Sequence, residues 1–453
     1  MTSYDHHAPT ILHDAHDAAR AESERPTDAL SRRALLAGAA AAAAGAVIAA
    51  MPLDAQQGTA IRTDRPPVAP PPATTPPATT IPLDATKVPG TPTTPLGARA
   101  TFVTAARTPV GIITGPSFTP LQDLKGTITP ADLHFERHHG GVAHIDPARY
   151  ALMVHGLVDR PTMFSLRDLE RFPSVSRVCF VECSGNGRNG YRAPKPELSP
   201  QLIDGLTSNS EWTGVPLRTL LAEAGVKRSA TWLLAEGGDA AVLSRSIPMA
   251  KAMDDALVAY AQNGEPIRPA NGFPVRLLLP GWEANMCIKW LRRIEAIAQP
   301  NMSRDETSKY TDPLPNGTAR QFSFVMDVKS IITSPAFPLR LVEKGWLPIT
   351  GLAWTGRGKV ARVDVSTDGG KSWTEAELQG PVHSKAHTRF QHMWEWDGGP
   401  ATLMSRAVDE TGAVQPTLAE FRAKRGPGTD FHFNHVRAWM VQPDGRVLYG
   451  VNL

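Results

Sequence analysis

Apolar and polar residues alternate in short segments between about residues 97 and 321, and the period of this pattern changes along the stretch. Short apolar runs bounded by turn residues predict strands at 150–158, 177–182, 231–235 and 275–279. Two segments, 165–171 and 217–224, instead carry apolar residues at helical spacing between capping residues. The mixture predicts an α+β domain.

After about residue 322 the pattern becomes a regular series of alternating segments separated by glycine, asparagine and aspartate turns. A turn at Asp368-Gly369-Gly370 is typical of the series, and the predicted strands are 359–366, 371–378, 389–396, 401–408 and 435–441. Regularly spaced strands of this kind predict an immunoglobulin-like β-sandwich. We expect this domain to serve in association, because its segments bring no dense set of catalytic side chains.

The first 50 residues have the pattern of an export signal. The pair Arg32-Arg33 precedes an alanine-rich, weakly hydrophobic stretch that ends in small residues near Ala50. This pattern predicts the twin-arginine route to the periplasm, and that route moves folded proteins, often with a cofactor already inserted. A membrane anchor is the alternative, although alanine partitions only weakly into lipid and the run is short for a span.

The chain from 62 to about 95 is dominated by proline, threonine and alanine, which predicts an extended tether. We therefore predict a signal region at 1–55, a linker at 56–98, a catalytic domain at 99–321 and the sandwich at 322–453. Four histidines upstream of the signal are given no metal role: His6, His7, His13 and His16.

Composition supports two globular domains and excludes some partners. Of the 453 residues, 42% are hydrophobic and 20% are charged, which is a globular composition. The net charge is +3 without a basic run, so nucleic acid is not an expected partner. Three cysteines, Cys179, Cys183 and Cys287, are too few to indicate a disulfide framework in an exported protein.

The most unusual local sequence surrounds Cys183. An apolar strand runs into Cys183-Ser-Gly-Asn-Gly187, which places a thiol where glycine-rich backbone amides can face an anion. A thiolate at such a junction suits a metal ligand or a nucleophile. The alternative is a buried structural cysteine, which is a common role for unpaired cysteines.

Further segments follow the same order as motifs of the sulfite oxidase family, and the Cys183 loop resembles its molybdenum-ligating loop. The segments are Phe-Glu-Arg-His-His at 135–139, Asn-Gly-Phe-Pro-Val-Arg at 271–276, Pro-Gly-Trp at 280–282, Ile-Lys-Trp-Leu at 288–291 and Glu-Thr-Ser-Lys-Tyr at 306–310. The resemblance implies molybdenum with molybdopterin as cofactor. It also implies an α+β molybdopterin-binding domain followed by an immunoglobulin-like dimerisation domain.

The resemblance to the sulfite oxidase family implies roles for individual residues of this chain. The resemblance implies that Cys183 ligates molybdenum, that Arg137 positions an anion and that Tyr310 donates a hydrogen bond near the reacting oxygen. It assigns His139, Arg276 and Lys289 to cofactor binding. Cationic and hydroxyl side chains suit these roles, because molybdopterin carries a phosphate and the substrates are sulfur oxyanions or thiolates. Arg425 of the sandwich is a further, weaker candidate for a phosphate contact.

Departures from the sulfite oxidases indicate a branch. Asn271 replaces a usual histidine and Met286 a usual arginine, whereas the segments 182–187, 206–214, 262–265 and 351–358 are more similar to the SoxC-type sulfane dehydrogenase subunit. That branch implies a sulfane sulfur on a carrier protein as substrate, a c-type cytochrome as electron acceptor, and a homodimer or heterotetramer. An external acceptor is expected, because the chain contains no Cys-x-x-Cys-His haem motif.

Three other functions are open. A periplasmic sulfite dehydrogenase is the alternative within the family. A zinc hydrolase is suggested by the cluster His134, His138, His139 and His144, of which the first two have helical i, i+4 spacing, although the segment lacks the glutamate of a zinc-protease motif. An exported binding protein, with the sandwich as its working part, is the third.

Overall fold

The structure, a computed structural model, describes residues 90–451. The predicted export signal, the leader histidines and most of the predicted linker lie outside the described residues. Within residues 90–451, no helix has both the length and the apolar character needed to cross a membrane.

The α+β part is built on two five-stranded sheets and a small three-stranded sheet. Its strands are β1 (Thr108–Pro109), β2 (Pro116–Phe118), β3 (Glu136–Arg137), β4 (Ala151–Gly156), β5 (Thr162–Ser165), β6 (Val175–Glu182), β7 (Thr207–Pro216), β8 (Trp232–Gly237), β9 (Ser244–Pro248), β10 (Leu257–Gln262), β11 (Glu265–Pro266), β12 (Arg276–Leu278) and β13 (Leu291–Ile297). The sheet orders are β1-β2-β3, β11-β10-β7-β6 with β12 beside β10, and β5-β4-β13-β8-β9.

The α-helices of this part are short, and side-chain caps at Ser165 and Ser199 begin two of them. They are α1 (Leu166–Arg171), α2 (Arg188–Arg192), α3 (Pro200–Asp204), α4 (Leu217–Ala224) and α5 (Met249–Asp254). Ser165 and Asp168 form a capping box at the start of α1, as the sequence predicts. Helix α4 ends at Gly225, which adopts the left-handed conformation that terminates many helices.

The C-terminal part forms one long antiparallel sheet that folds back on itself. Its strands are β16 (Lys329–Ser334), β17 (Gly345–Trp354), β18 (Val360–Ser366), β19 (Thr374–Gln379), β20 (Thr388–Trp396), β21 (Ala401–Asp409), β22 (Ala438–Val441) and β23 (Val447–Tyr449), preceded by the small pair β14 (Asp312–Pro313) and β15 (Ala319–Arg320). The order is β16-β17-β20-β19-β18-β21-β22-β23. Strand β16 also meets β21, where Ser330 and Ser405 hydroxyls lie 2.9 Å apart, so the curled sheet closes into the predicted sandwich.

Some predicted boundaries are wrong. The strand predicted at 371–378 begins at Thr374, because the Asp368 carboxylate accepts the Lys371 and Ser372 amides and extends the turn. The strand predicted at 435–441 begins at Ala438, and the sequence pattern did not indicate the helix α6 (Leu418–Arg425) that precedes it.

The protein has two apolar cores, and one of them joins the two parts. One fills the space between the sheets of the α+β part, and the other fills the sandwich. Phe180 of β6 and Ile203 of α3 belong to the sandwich core, although both come from the α+β part. The two parts therefore pack directly behind the end of β6, where the Cys183 loop begins.

Candidate active site

The six site residues that the sequence indicates line one cavity. They are Arg137, His139, Cys183, Arg276, Lys289 and Tyr310. They come from segments up to 173 positions apart in the sequence (310 − 137), and folding places their side chains around the same cavity. Their individual chemical roles stay predictions.

Cys183 lies at the end of β6, where paired strand gives way to a tight turn. Its amide donates to the Leu206 carbonyl at 2.9 Å, and its carbonyl accepts from the Asn186 amide at 2.9 Å. Burial raises the pKa of the Cys183 thiol, while a hydrogen bond from the Gly185 backbone and the charge of Arg137 oppose that rise. A metal cation at the sulfur would favour the thiolate in the same direction as these groups.

Arg137, His139 and Tyr310 form one wall of the cavity. Arg137, on β3, donates to the Thr114 carbonyl at 2.6 Å. The Tyr310 hydroxyl and His139 Nε2 lie 2.9 Å apart, within hydrogen-bond distance. Burial and the nearby Arg137 charge lower the pKa of His139, which favours the neutral ring. A neutral imidazole can exchange a hydrogen bond with the tyrosine in either direction.

Arg276 is a buried cation with an unused donor. Its two terminal nitrogens donate to the Asn271 and Cys287 carbonyls at 3.0 and 3.1 Å, and its guanidinium stacks 4.9 Å from the Trp212 ring centroid. Its Nε has no hydrogen-bond partner among the described residues. Burial lowers the pKa of Arg276, and no carboxylate of the described residues is among the charges that act on it.

Lys289 is the second deeply placed cation. Its ammonium donates to the Arg137 and Ala270 carbonyls at 3.2 and 3.0 Å and lies 2.8 Å from His138 Nδ1. Burial, and next the charge of Arg276, lower the pKa of Lys289 to about 7. A bound anion would reverse this shift, because an opposite charge favours the protonated amine.

These observations fit an anionic, phosphate-bearing cofactor. Three cations, Arg137, Arg276 and Lys289, face the same cavity as a thiol. Besides Arg276 Nε, the buried Nε2 of His134 is also without a hydrogen-bond partner among the described residues. Unpaired buried polar atoms and cations are unfavourable unless a ligand satisfies them. Molybdopterin would supply a phosphate for the cations, and its molybdenum would accept a thiolate.

Arg245, on β9, is a site residue that sequence reasoning missed. Its guanidinium is fully buried and lies 5.0 Å from the Tyr310 ring centroid. It donates to Asn285 Oδ1 at 2.5 Å and pairs with Glu283 at 3.6 Å. No motif marks this position, and the only signal was an arginine inside an otherwise uncharged strand.

A second cavity adjoins the first, and Arg137, Cys183 and Tyr310 line both. Its other walls include Arg188, just after the Cys183 loop, and Phe431 from the sandwich. The Arg188 guanidinium lies 5.5 Å from the Phe431 ring centroid. Both domains therefore contribute to the space in front of the thiol.

Two further candidates from the sequence, Arg425 and the histidine cluster, do not form the sites suggested for them. Arg425 does not line either cavity, and it instead pairs with Asp327 at 2.9 Å and with Asp312 at 3.6 Å. The helix that would align His134 and His138 for zinc does not form, because the segment between them contains strand β3. Within residues 90–451, no three histidine, cysteine, aspartate or glutamate side chains come together as a metal site. The three cysteines are unpaired, as predicted.

Comparison with known proteins supports the same interpretation. Residues 139–305 match the oxidoreductase molybdopterin binding domain, and residues 320–437 match the Mo-co oxidoreductase dimerisation domain. The chain is 33% identical to mitochondrial sulfite oxidase of Mus musculus over 327 residues, covering 67% of this chain and 60% of that protein. It is also 33% identical to the NADH nitrate reductase of Solanum lycopersicum, covering 64% of this chain and 36% of that protein. The chain thus spans less than two thirds of these relatives.

One solved structure has a higher sequence identity to this chain than these relatives, and the match covers a larger share of both chains. The sulfane dehydrogenase SoxCD from Paracoccus pantotrophus is 46% identical, with a TM-score of 0.77, covering 79% of this chain and 94% of that chain. These matches confirm the predicted fold class, an α+β molybdopterin-binding domain followed by a β-sandwich dimerisation domain. Motifs, cavity and relatives agree that the chain belongs to the sulfite oxidase family of molybdopterin enzymes.

Proposed function

We propose that this protein is a molybdenum-dependent sulfane dehydrogenase that oxidises a sulfane sulfur carried on a partner protein and passes the electrons to a c-type cytochrome. The observation that carries the proposal is the meeting of Cys183, Arg137 and Tyr310 in one cavity. The 46% identity to a sulfane dehydrogenase supports this branch over others.

The cofactor would be held by residues of both the loop and the sheet. Cys183 would ligate the metal, and Arg276, Lys289 and His139 would bind the pterin and its phosphate. Bound molybdenum supplies oxygen-atom transfer coupled to two-electron oxidation, with water as the source of oxygen. The chain supplies binding, orientation and charge.

Arg137 and Tyr310 would act on the substrate side. The Arg137 guanidinium attracts a thiolate or sulfur oxyanion and keeps it near the thiol-bearing loop. The Tyr310 hydroxyl can donate a hydrogen bond toward the substrate while its oxygen accepts one from Nε2–H of the neutral His139 ring, 2.9 Å away. The second cavity would admit the sulfur-bearing end of a carrier, since it leads to the same three residues.

Partners and location complete the proposal. The twin-arginine pattern supports a periplasmic enzyme, and the absence of a haem attachment motif from the sequence supports a separate cytochrome as acceptor. The matched dimerisation domain supports self-association through the sandwich, either as a homodimer or within a heterotetramer. Light scattering of the purified protein, alone and with the cytochrome, distinguishes these assemblies.

A periplasmic sulfite dehydrogenase is the second candidate, because sulfite oxidases are among the curated relatives at 32–33% identity. In that case free sulfite would be the substrate, and the same cavity would hold the smaller oxyanion. The two candidates share cofactor and site residues, so only substrate preference separates them.

The test starts with metal and pterin content of the full chain produced in a cell that makes molybdopterin. We expect about one molybdenum per chain for an occupied site, and a metal-free or zinc-loaded protein would overturn the proposal. The loaded enzyme is then offered sulfite or a protein-bound persulfide with the same cytochrome. Faster cytochrome reduction with the persulfide supports the sulfane dehydrogenase, whereas a clear preference for sulfite selects the second candidate.

A further inference from the structure

The residue before Cys183 is anchored in the sandwich domain. Glu182 ends strand β6 and its side chain is fully buried. Its Oε1 accepts a hydrogen bond from Lys329 Nζ at 3.0 Å, and its Oε2 accepts one from Trp354 Nε1 at 2.7 Å. Lys329 begins β16 and Trp354 ends β17, so two adjacent strands of the sandwich hold one carboxylate of the α+β part.

The anchor is part of a charge-balanced buried cluster. Lys329 Nζ also lies 2.7 Å from Asp204 Oδ1, and Arg437 Nε donates to Asp204 Oδ2 at 3.2 Å. Burial opposes ionisation of Asp204, but Arg437 and Lys329 outweigh it and hold the pKa of that carboxyl below its ordinary value. Two carboxylates, of Glu182 and Asp204, therefore face two cations in a region closed to water.

Glu182 is linked to the thiol through Asn186. The Asn186 side-chain amide donates to Glu182 Oε1 at 2.9 Å, and the Asn186 backbone amide donates to the Cys183 carbonyl at 2.9 Å. The Asn186 side-chain oxygen accepts from the Leu206 amide at 2.9 Å. Leu206 in turn accepts from the Cys183 amide, so the turn around the sulfur is closed by residues that Glu182 fixes.

The sandwich also touches the loop directly. The backbone amide of His432 donates to the Ser184 carbonyl at 2.7 Å. Gly187 lies so close to the sandwich that a Cβ at this position would come within 2.5 Å of Arg437 Nη2 and 2.8 Å of Phe433 Cβ. Contacts from the sandwich thus reach the residues on both sides of Cys183.

We propose that Lys329 and Trp354 are positioning residues which, through Glu182 and Asn186, determine where the Cys183 sulfur lies. The sandwich then has a task beyond association, because it sets the geometry of the metal ligand from behind the cavity. The inference rests on the proposed function, in which Cys183 ligates molybdenum. Neither Lys329 nor Trp354 lines either cavity, so both act only through the residues between them and the thiol.

Two variants of different severity test the proposal. Trp354→Phe keeps an aromatic ring in the core but removes the indole donor to Glu182, together with part of the buried ring. The double variant Glu182→Gln with Lys329→Met removes the ion pair between these two residues. Asp204 keeps Arg437 as its partner, so no buried charge is left unpaired to destabilise the region. Trp396→Phe is the matched control, because Trp396 is a buried sandwich tryptophan whose indole donates to the Gly399 carbonyl at 2.8 Å, away from the loop.

The measurements are X-ray absorption at the molybdenum edge and the Mo(V) electron paramagnetic resonance spectrum of the loaded full chain, with Cys183→Ser in the same series. We expect Cys183→Ser to lose one sulfur neighbour of the metal. Trp354→Phe and the double variant should keep that sulfur but show shifted Mo(V) g-values and a wider spread of metal–sulfur distances. Trp396→Phe should retain the spectrum of the unmodified protein.

The outcomes separate the two proposals. An unchanged metal environment in Cys183→Ser would overturn the ligand assignment and with it the proposed function. Loss of a sulfur in Cys183→Ser, together with unshifted spectra in Trp354→Phe and in the double variant, would overturn only the positioning role. Should the double variant fail to fold, the Trp354→Phe spectrum decides alone.

Discussion

Tyr310 combines an apolar environment with one specific polar contact. Its ring lies over the buried Arg245 guanidinium, and its hydroxyl meets His139 at the cavity wall. Burial raises the pKa of Tyr310, so the hydroxyl stays protonated and available as a donor at neutral pH. The side chain is thus held by packing, while its chemistry depends on a single oxygen.

Removing that oxygen should therefore affect turnover more than binding. We expect Tyr310→Phe to lower kcat about 100-fold, in the range of a lost proton-transfer or hydrogen-bond partner, with a smaller change in KM. Steady-state cytochrome reduction with the substrate preferred by the unmodified enzyme measures both. Tyr150→Phe is the control, because its hydroxyl bonds the Leu291 carbonyl in the core. Equal kcat values for the two variants would refute a role for the Tyr310 hydroxyl.

Gly187 shows how one residue without a side chain allows the Cys183 loop to approach the sandwich. Its φ is +94°, a conformation that glycine adopts without strain. An added Cβ would also collide with Arg437 and Phe433. A side chain at position 187 is therefore opposed both by backbone strain and by this collision.

We expect Gly187→Ala to lower the free energy of unfolding by roughly 1–3 kcal/mol or more, from backbone strain plus the collision. Gly264→Ala isolates the first effect, because Gly264 has φ of +79° with no atom within 4 Å of the added Cβ. Urea unfolding of both variants gives the difference. If Gly264→Ala is destabilised as much as Gly187→Ala, the collision contributes nothing.

At the scale of elements, helix α6 depends on a capping box that the sequence contains but that the alternating pattern obscured. The Thr417 side chain accepts the Glu420 amide, and the Glu420 carboxylate accepts the Thr417 amide at 2.8 Å. The helix ends at Arg425, whose guanidinium pairs with Asp327 at 2.9 Å. Its last turn is thus joined to the segment that leads into β16.

Thr417→Ala should lower the free energy of unfolding by about 1 kcal/mol, because the Glu420 amide in the first turn loses the side-chain oxygen that accepts its hydrogen bond. Ser165→Ala removes the equivalent cap of α1 and provides a comparison within the same chain. Chemical denaturation measures both variants. An unchanged midpoint for Thr417→Ala would mean that tertiary packing alone holds α6.

At the scale of the whole molecule, buried histidines connect stability to pH. His387 lies between the two parts, with Nε2 2.9 Å from the Thr207 hydroxyl and its ring 5.0 Å from that of Trp354. Burial, and next the charge of Arg389, lower the pKa of His387 to about 3. The folded protein therefore keeps this ring neutral at pH values where the unfolded chain protonates it.

The sign follows from proton binding. Below pH 6.5 the unfolded state binds the proton and the folded state does not, so the stability present above pH 6.5 is lost as pH falls toward 3. The loss is about 1.4 kcal/mol per pH unit for one such proton. We expect His387→Gln to reduce the pH dependence of the free energy of unfolding by about 1.4 kcal/mol per pH unit, the contribution of one proton. Urea unfolding between pH 6 and 4 measures this difference. The exposed His383, replaced in the same way, is the control, and equal slopes in the two variants would refute the assignment.

Local pattern was sufficient for the order of domains and for the family. The strand-to-glycine junction at Cys183, the ordered motifs around it and the change to regular strands after residue 322 are properties of neighbouring residues, and they were confirmed as a molybdopterin-binding domain followed by a sandwich. The same motifs named six residues that share one cavity. The boundaries at 99–321 and 322–453, the export signal and the individual roles of the six residues stay predictions.

The tertiary structure alone decided which side chains surround the six site residues. Arg245 reaches Tyr310 from a strand without a motif, and Lys329 and Trp354 reach Glu182 from 147 and 172 positions away. Such pairings leave no local period in the sequence, because a buried charge requires an opposite charge in space and not at a fixed spacing along the chain. The sequence by itself determined which residues could bind a molybdenum cofactor, whereas the packing of the sandwich against β6 determined what holds the proposed metal ligand in place.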